Sequence, residues 1–369
     1  MHLLFVDPLR TYGAETSTAQ PLGGTQSAVT YLALALAQDG VGVTVANRRT
    51  TDVTEGGVEW VSLAGAQARF AAFLAARSVT HLVVVNAPGV AALRSKVAWR
   101  CNWLLWNHHW IDQPGVAPLA DAGLRSQWDA VISVSEFHHA GMARAFGLEP
   151  SRHFMLRNAV SPHFERLFRD FEDFRATRAA RTADRFIYTS APYRGLDVLM
   201  EAWKLSGPPP DWSCTVVSGM SLYQTEDARF DSLLAEASAL ASMRCIEPVG
   251  QRALAQLCVE HDFWAYPCTQ TETSCISAAE ALAAGLYPLT TDRGALPETL
   301  GGFGTQTAAD GADLARRWGA GAREQAALRD SDRDAWLGRI WEHRTRVLRE
   351  WTWGHRAREW IEQLGSLAP

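Results

Sequence analysis

Short apolar runs alternate with longer amphipathic stretches along almost the whole chain, and this alternation fixes the class of fold available to it. Leu3–Val6, Val43–Ala46, Leu82–Val85, Trp103–Trp106 and Val131–Val134 have the length and apolar content of buried strands. Thr25–Gln38 instead places its apolar residues at helical spacing. Strand and helix in alternation imply a parallel sheet covered by helices on both faces. The pattern breaks after Arg157-Asn158-Ala159-Val160. Residues 164–185 are rich in Arg, Asp and Glu with repeated Phe, which suits a charged helix or linker at a domain boundary. A second series follows. Phe186–Tyr188, Cys214–Val217, Asp262–Ala265 and Leu286–Leu289 read as strands, and Leu196–Trp203, Leu254–Cys258 and Ile276–Ala284 as helices. The tail, residues 332–367, reads as helical.

The length of 369 residues agrees with two domains. The expectation is an α/β protein with two Rossmann-like halves facing each other across a cleft. Open sheets of this kind bind ligands at the carboxyl ends of their strands, so functional motifs should lie on loops just after strands.

Composition removes several classes. A net charge of −5 does not describe a nucleic-acid surface. The six cysteines are scattered without metal-ligand spacing, which reads as free thiols in a reducing compartment. Residues 1–8 lack the charged start and length of a signal peptide and read as a first strand. No apolar run reaches the ~20 residues of a membrane helix. A cytoplasmic location is the expectation, with peripheral membrane contact left open. Fifteen tryptophans is a high number, and packing should account for most of them.

Four motifs sit where the strand-to-loop rule puts them. Pro21-Leu22-Gly23-Gly24-Thr25 opens a helix, where paired glycines admit a close ligand and helix amides attract an anion. Trp106-Asn107-His108-His109-Trp110 follows a strand, and a neutral imidazole there suits a sugar hydroxyl. Adjacent histidines without a spaced third ligand do not suit zinc. Tyr188-Thr189-Ser190-Ala191-Pro192-Tyr193-Arg194-Gly195 puts a guanidinium, a bidentate partner for phosphate, at a helix start. The fourth motif is Glu272-Thr-Ser274-Cys275-Ile276-Ser-Ala-Ala-Glu280, with Gly285 ending the helix. A carboxylate at phosphate distance would repel that anion, so Glu280 fits better against neutral ribose hydroxyls. Taken singly, each motif is also explained by an ordinary turn, cap or surface charge.

Together, in order and spacing, they resemble the family-4 glycosyltransferases of the GT-B fold over nearly the whole chain. The likeness rests on Gly23-Gly24, His108 or His109, Asn158-Ala159-Val160, Arg194-Gly195, Glu272 with Glu280, and Gly294-Ala-Leu-Pro297-Glu298. It implies an N-terminal acceptor domain over 1–162, with 350–369 packing back on it, and a donor domain over 163–349. It implies retaining, metal-independent transfer from a UDP- or GDP-linked sugar, with no further cofactor. The acceptor would be the hydroxyl of a saccharide, a lipid-linked sugar or a small molecule. By resemblance, Glu280 would hold the ribose and Glu272 would face the donor sugar. Arg194 and the amides of Ser274, Cys275 and Ile276 would hold the diphosphate, with Gly23, Gly24 and Ser190 also in the donor site. His108, with His109 beside it, would meet the sugar near the reacting carbon.

Two departures stand out. Thr189 occupies the place of a second phosphate-binding arginine, and Ser274-Cys275 replaces the common Phe-Gly. The same fold also admits a nucleotide-sugar epimerase or a non-catalytic nucleotide-sugar-binding or scaffold protein. A dehydrogenase is excluded, because no glycine fingerprint follows the first strand. The Asp-x-Asp triplets of residues 330–334 lie in a polar stretch before a helix, where capping explains them better than a metal site.

Overall fold

The computed structural model describes residues 1–179, 181, 183–226 and 228–367. The chain forms two compact units. The first contains Met1–Ser17, Gly24–Ala159 and the stretch from Trp353 on; the second contains Thr18–Gly23 and Val160–Thr352.

The first unit is built on an eight-stranded sheet. Its strands are β1 (His2–Val6), β2 (Gly42–Asn47), β3 (Val53–Glu55), β4 (Val58–Ser62), β5 (His81–Val85), β6 (Asn102–Trp106), β7 (Ala130–Ser133) and β8 (His153–Met155). The order is β3-β4-β2-β1-β5-β6-β7-β8. All pairings are parallel except β3 with β4, a hairpin turned by Gly56 and Gly57 at positive φ. β5 and β6 are buried at every residue. A strand covered on both faces must be continuously apolar, which is why these runs stand out in the sequence.

The second unit holds six strands: β9 (Asp184–Thr189), β10 (Trp212–Val217), β11 (Met243–Ile246), β12 (Phe263–Tyr266), β13 (Tyr287–Thr291) and β14 (Thr305–Thr307). Their order is β11-β10-β9-β12-β13-β14, all parallel. The expected α/β class with two parallel-sheet halves is therefore found. The strands without an expectation include all four sheet edges, β3, β8, β11 and β14. Edge strands are short and half exposed, so they need no apolar run.

The tail is two helices, Arg333–Glu350 in the second unit and Trp353–Gly365 in the first. The latter lies on the helix Gly24–Gln38 and puts Trp360 against Trp106 and Phe5, at ring separations of 4.9 and 5.9 Å. Trp60, Trp103, Trp106, Trp128, Trp264, Trp318, Trp336 and Trp360 are fully buried, so packing accounts for them.

The charged stretch 164–185 contains a charged helix, Phe171–Ala179, exposed at Glu172, Ala176 and Thr177 and buried along one side. Phe174 and Arg178 are buried, and Arg178 and Arg181 both bond the buried carboxylate of Asp262 at 3.2 and 3.0 Å. Burial pulls the Arg178 guanidinium down to about 10. Asp332 caps the helix Arg333–Glu350 through the amide of Ala335, so the acidic triplets are capping and surface ion-pair residues.

Candidate functional site

The candidate residues fall into two groups, one in each unit. In the second unit, Arg194 ends the turn Pro192–Arg194 after β9. Gly195 follows at φ +107°, and a Cβ there would meet the carbonyl oxygen of Pro267 at 2.1 Å. Only glycine lets this turn lie against the loop after β12. That contact brings Arg194 to Glu272, and the two form an ion pair. The Tyr266 hydroxyl donates to the same carboxylate oxygen, Oε1. The Cys268 thiol approaches it at 3.8 Å. Burial lowers the Arg194 guanidinium, but Glu272, together with Tyr266, Tyr223 and Tyr193, more than offsets this and holds it well above its ordinary value. Glu272 is itself 7% exposed, and its backbone is clamped from behind. Gly294, at φ +61°, would put a Cβ 2.1 Å from the Glu272 carbonyl oxygen, and that oxygen accepts the Ala295 amide at 2.8 Å. The Gly-x-x-Pro-Glu element thus shapes the Glu272 loop.

Cys275 then adopts a left-handed conformation, φ +55°, and the helix Ile276–Ala283 begins. Its first amides, at Ile276 and Ser277, have no acceptor within the helix by its geometry. Ser274 is buried, and its carbonyl accepts the Thr299 hydroxyl. Glu280 lies on the buried side of the helix. Its Oε1 accepts the amide of Ser161 at 3.3 Å, with the Gln251 side chain as a second partner. Burial pushes this carboxyl up to about 8, so near neutral pH it is largely protonated. A carboxyl in that state can both donate to and accept from a sugar hydroxyl. The Ser190 carbonyl accepts the Ser218 hydroxyl at 2.7 Å, tying β9 to β10. Thr189 accepts the indole N–H of Trp264 at 3.0 Å. The place of the usual second arginine is thus occupied by an internal hydrogen bond.

In the first unit, His108 and His109 follow β6 and part ways. The His108 amide donates to Asn86 Oδ1 at 2.6 Å, and its Nε2 lies 3.4 Å from Asn158 Oδ1. Burial, with His138 and His109 nearby, pushes its imidazole down to about 3, so the ring is neutral. The His109 ring turns onto Gly115, where a Cβ would come within 2.5 Å of Nδ1. It packs within its own loop. The His109 carbonyl is the more informative atom, accepting Asn107 Nδ2 at 2.8 Å and contacting His138 Nε2 at 3.0 Å. Since the Val134 amide donates to His138 Nδ1, the proton of this neutral ring sits on Nε2 and points at His109. Gly24 starts its helix in the first unit, while Gly23 belongs to the second. That helix is held by Gln26, which donates to the buried Asp7 after β1 at 2.9 Å.

Tyr266, Asn86 and His138 had no signal in the sequence, and Asn107 stood in the histidine motif without a role. Among the described residues no group of His, Cys, Asp or Glu could hold a metal ion, and no helix is long and apolar enough to cross a membrane. All six cysteines are free thiols.

No protein-family model matches the chain, and no curated protein matches its sequence. Solved structures do. Sucrose-phosphate synthase from Thermosynechococcus elongatus superposes with a TM-score of 0.75 at 17% identity, covering 99% of this chain and 98% of its own. A glycosyltransferase from Rickettsia africae gives 0.73 at 14%, with 99% of both chains covered. HepE of Anabaena, solved in complex with UDP, gives 0.68 at 15% over the whole of both chains. The fold is therefore that of the GT-B glycosyltransferases.

Proposed function

We propose that the protein is a retaining glycosyltransferase that moves a sugar from a nucleoside-diphosphate sugar to a hydroxyl acceptor without a metal ion. The observation that carries this reading is the grouping within one unit of a held cation, Arg194, a helix N-terminus at Ile276 and a protonated carboxyl, Glu280. A diphosphate needs the first two. A ribose, neutral and rich in hydroxyls, is suited by the third. Binding of UDP by the similar HepE favours uridine over guanosine here.

In this reading the diphosphate takes Arg194 from Glu272, and the freed carboxylate turns to the hydroxyls of the donor sugar. The bond from the anomeric carbon to the β-phosphate oxygen breaks, and the negative charge that develops is met by Arg194 and the amides of Ile276 and Ser277. The acceptor oxygen bonds the anomeric carbon on the same face, and its proton passes to the departing phosphate. His108, neutral and held by two asparagines, offers a hydrogen bond to a sugar hydroxyl. No enzyme nucleophile is needed.

The test is calorimetry with UDP and GDP in the presence of a chelator, followed by turnover of a nucleotide-sugar panel. The expected result is binding that survives chelation, weakened by Glu280→Ala, with transfer slowed by Arg194→Ala. Absence of affinity for both nucleotides would overturn the proposal. Binding without turnover of any donor would turn it into nucleotide-sugar binding without catalysis.

A further inference from the structure

A diphosphate carries more negative charge than one guanidinium offsets, and Arg194 is the one cation in the turn after β9. The neighbouring strand offers a second donor. β10 pairs with β9 in parallel, so the loops that follow both strands lie at the same edge of the sheet, where ligands of open sheets bind. After β10 the chain passes Gly219 and makes the short turn Met220–Tyr223, which Gln224 ends at φ +51°.

The side chains of the two loops meet. The Tyr193 and Tyr223 rings lie 6.4 Å apart with planes at 29°, and Phe230 packs on Tyr193 at 6.1 Å. The Arg194 guanidinium carbon lies 5.5 Å from the centre of the Tyr193 ring, within cation–π range. The Tyr193 hydroxyl donates to the Tyr223 hydroxyl at 3.2 Å. The Tyr223 oxygen is thus used as an acceptor, and its own proton meets no acceptor among the described residues. The pair is open to solvent, with Tyr193 36% exposed, so a ligand can reach that proton. Tyr223 also lies in the field of the Arg194–Glu272 pair. Burial pushes its phenol up, Arg194 pulls it down only in part, and Tyr193 and Glu272 push it up further. The phenol therefore stays a protonated donor near neutral pH.

An unused O–H beside a cation, at the carboxyl end of the sheet, suits an anion with several oxygens. We propose that Tyr223 binds the diphosphate beside Arg194, donating its phenolic hydrogen to a phosphate oxygen, and that Tyr193 holds the phenol in that direction. The identity of the ligand rests on the nucleotide-sugar reading; the anion contact does not. The second contact is then a neutral donor, and Arg194 alone carries the charge of this corner of the site.

The test is calorimetry on the full chain with inorganic pyrophosphate and with UDP, each at several salt concentrations and with a chelator present. A hydrogen bond to a charged group is a strong one, so Tyr223→Phe should weaken both about tenfold. The lost donor is neutral, so affinity should keep the same dependence on salt. Tyr193→Phe leaves the donor and removes only its tether, and should weaken both by less. Wild-type affinity in Tyr223→Phe would overturn the contact. A flatter salt dependence in that variant would also overturn it, because the phenol would then act only by seating Arg194. A larger loss in Tyr193→Phe than in Tyr223→Phe would overturn it too, by making Tyr193 the donor. Pyrophosphate binding that Tyr223→Phe weakens, with no affinity for UDP, would sink the glycosyltransferase reading and leave the anion contact standing. UDP affinity that Tyr223→Phe leaves unchanged would do the reverse. Affinity of the wild type for neither probe would overturn both.

Discussion

Glu280 is a carboxyl whose ordinary chemistry is reversed by its surroundings. Its value rises from the usual 4.5 to about 8 because burial penalises the charge, and the amide of Ser161 offsets this only in part. The folded protein therefore binds a proton between those values that the unfolded chain does not, and stability falls as pH rises through that window. Glu280→Gln keeps the shape and removes the charge. Chemical denaturation should show it no more stable than wild type at pH 5, and more stable at pH 9 by an amount on the order of 3 kcal/mol. Equal pH dependence of the two proteins would show that Glu280 is ionised in the fold. The same substitution should weaken nucleotide binding, since an amide cannot switch between donating and accepting at one oxygen. Of this, the sequence made the position legible through the spacing from Glu272 to Gly285. It could not make the protonation legible, because that comes from burial, which packing in the fold sets and the bonds from the distant Ser161 and Gln251 only partly offset.

Elements rather than residues decide where the other candidates point. The loop of Glu272 is shaped by a second loop, through Gly294 at positive φ and the Ala295 amide on the Glu272 carbonyl. Gly294→Ala would add a methyl 2.1 Å from that oxygen and strain the backbone besides. The expected cost is about 1–3 kcal/mol of stability. Nucleotide affinity should fall with it, because the helix start at Ile276 moves with the loop. Normal affinity in a destabilised variant would show that the clamp does not set the site. The His108 loop is pinned in the same manner, by Asn86, itself at φ +52°, and by His138 through the His109 carbonyl. His138→Ala leaves that carbonyl with Asn107 alone and should raise hydrogen exchange through residues 107–110. Glycine pairs and the glutamate spacing were readable because they are local patterns. Asn86, His138 and Tyr266 were not, because each looks like any polar or aromatic residue until the fold brings its partner near. The edge strands escaped for a related reason: burial on one side or less leaves no continuous apolar run to read.

At the scale of the whole molecule, the two units carry titratable groups of opposite sense. In the first, burial holds the imidazoles of His108, His138 and His153 down to about 3, 4 and 3. The unfolded chain takes up those protons near 6.5, so the stability they carry is lost as pH falls below that value. His2, His81 and His109 are shifted the same way, and the buried Asp7, raised by burial, opposes them. In the second unit, Glu280 and Asp184 are raised to about 8 and 6, and acidification relieves the cost of their charge. His261 and His343 oppose them, each lowered by burial. Moving from pH 8 to pH 5.5 should therefore loosen the first unit while the second holds or tightens. Hydrogen exchange, corrected for the intrinsic pH dependence of the rate, separates the two. Amides of β6, β7 and the helix Glu136–Phe146 should lose protection over this range, and amides of β12 and the helix Ile276–Ala283 should keep or gain it. Parallel loss in both units would mean that their buried titrations do not govern stability. The consequence for ligand binding follows by linkage. UDP should protect the second unit more at pH 8, where Glu280 is half charged and its hydroxyl partner offsets burial, than at pH 5.5, where the carboxyl is already neutral.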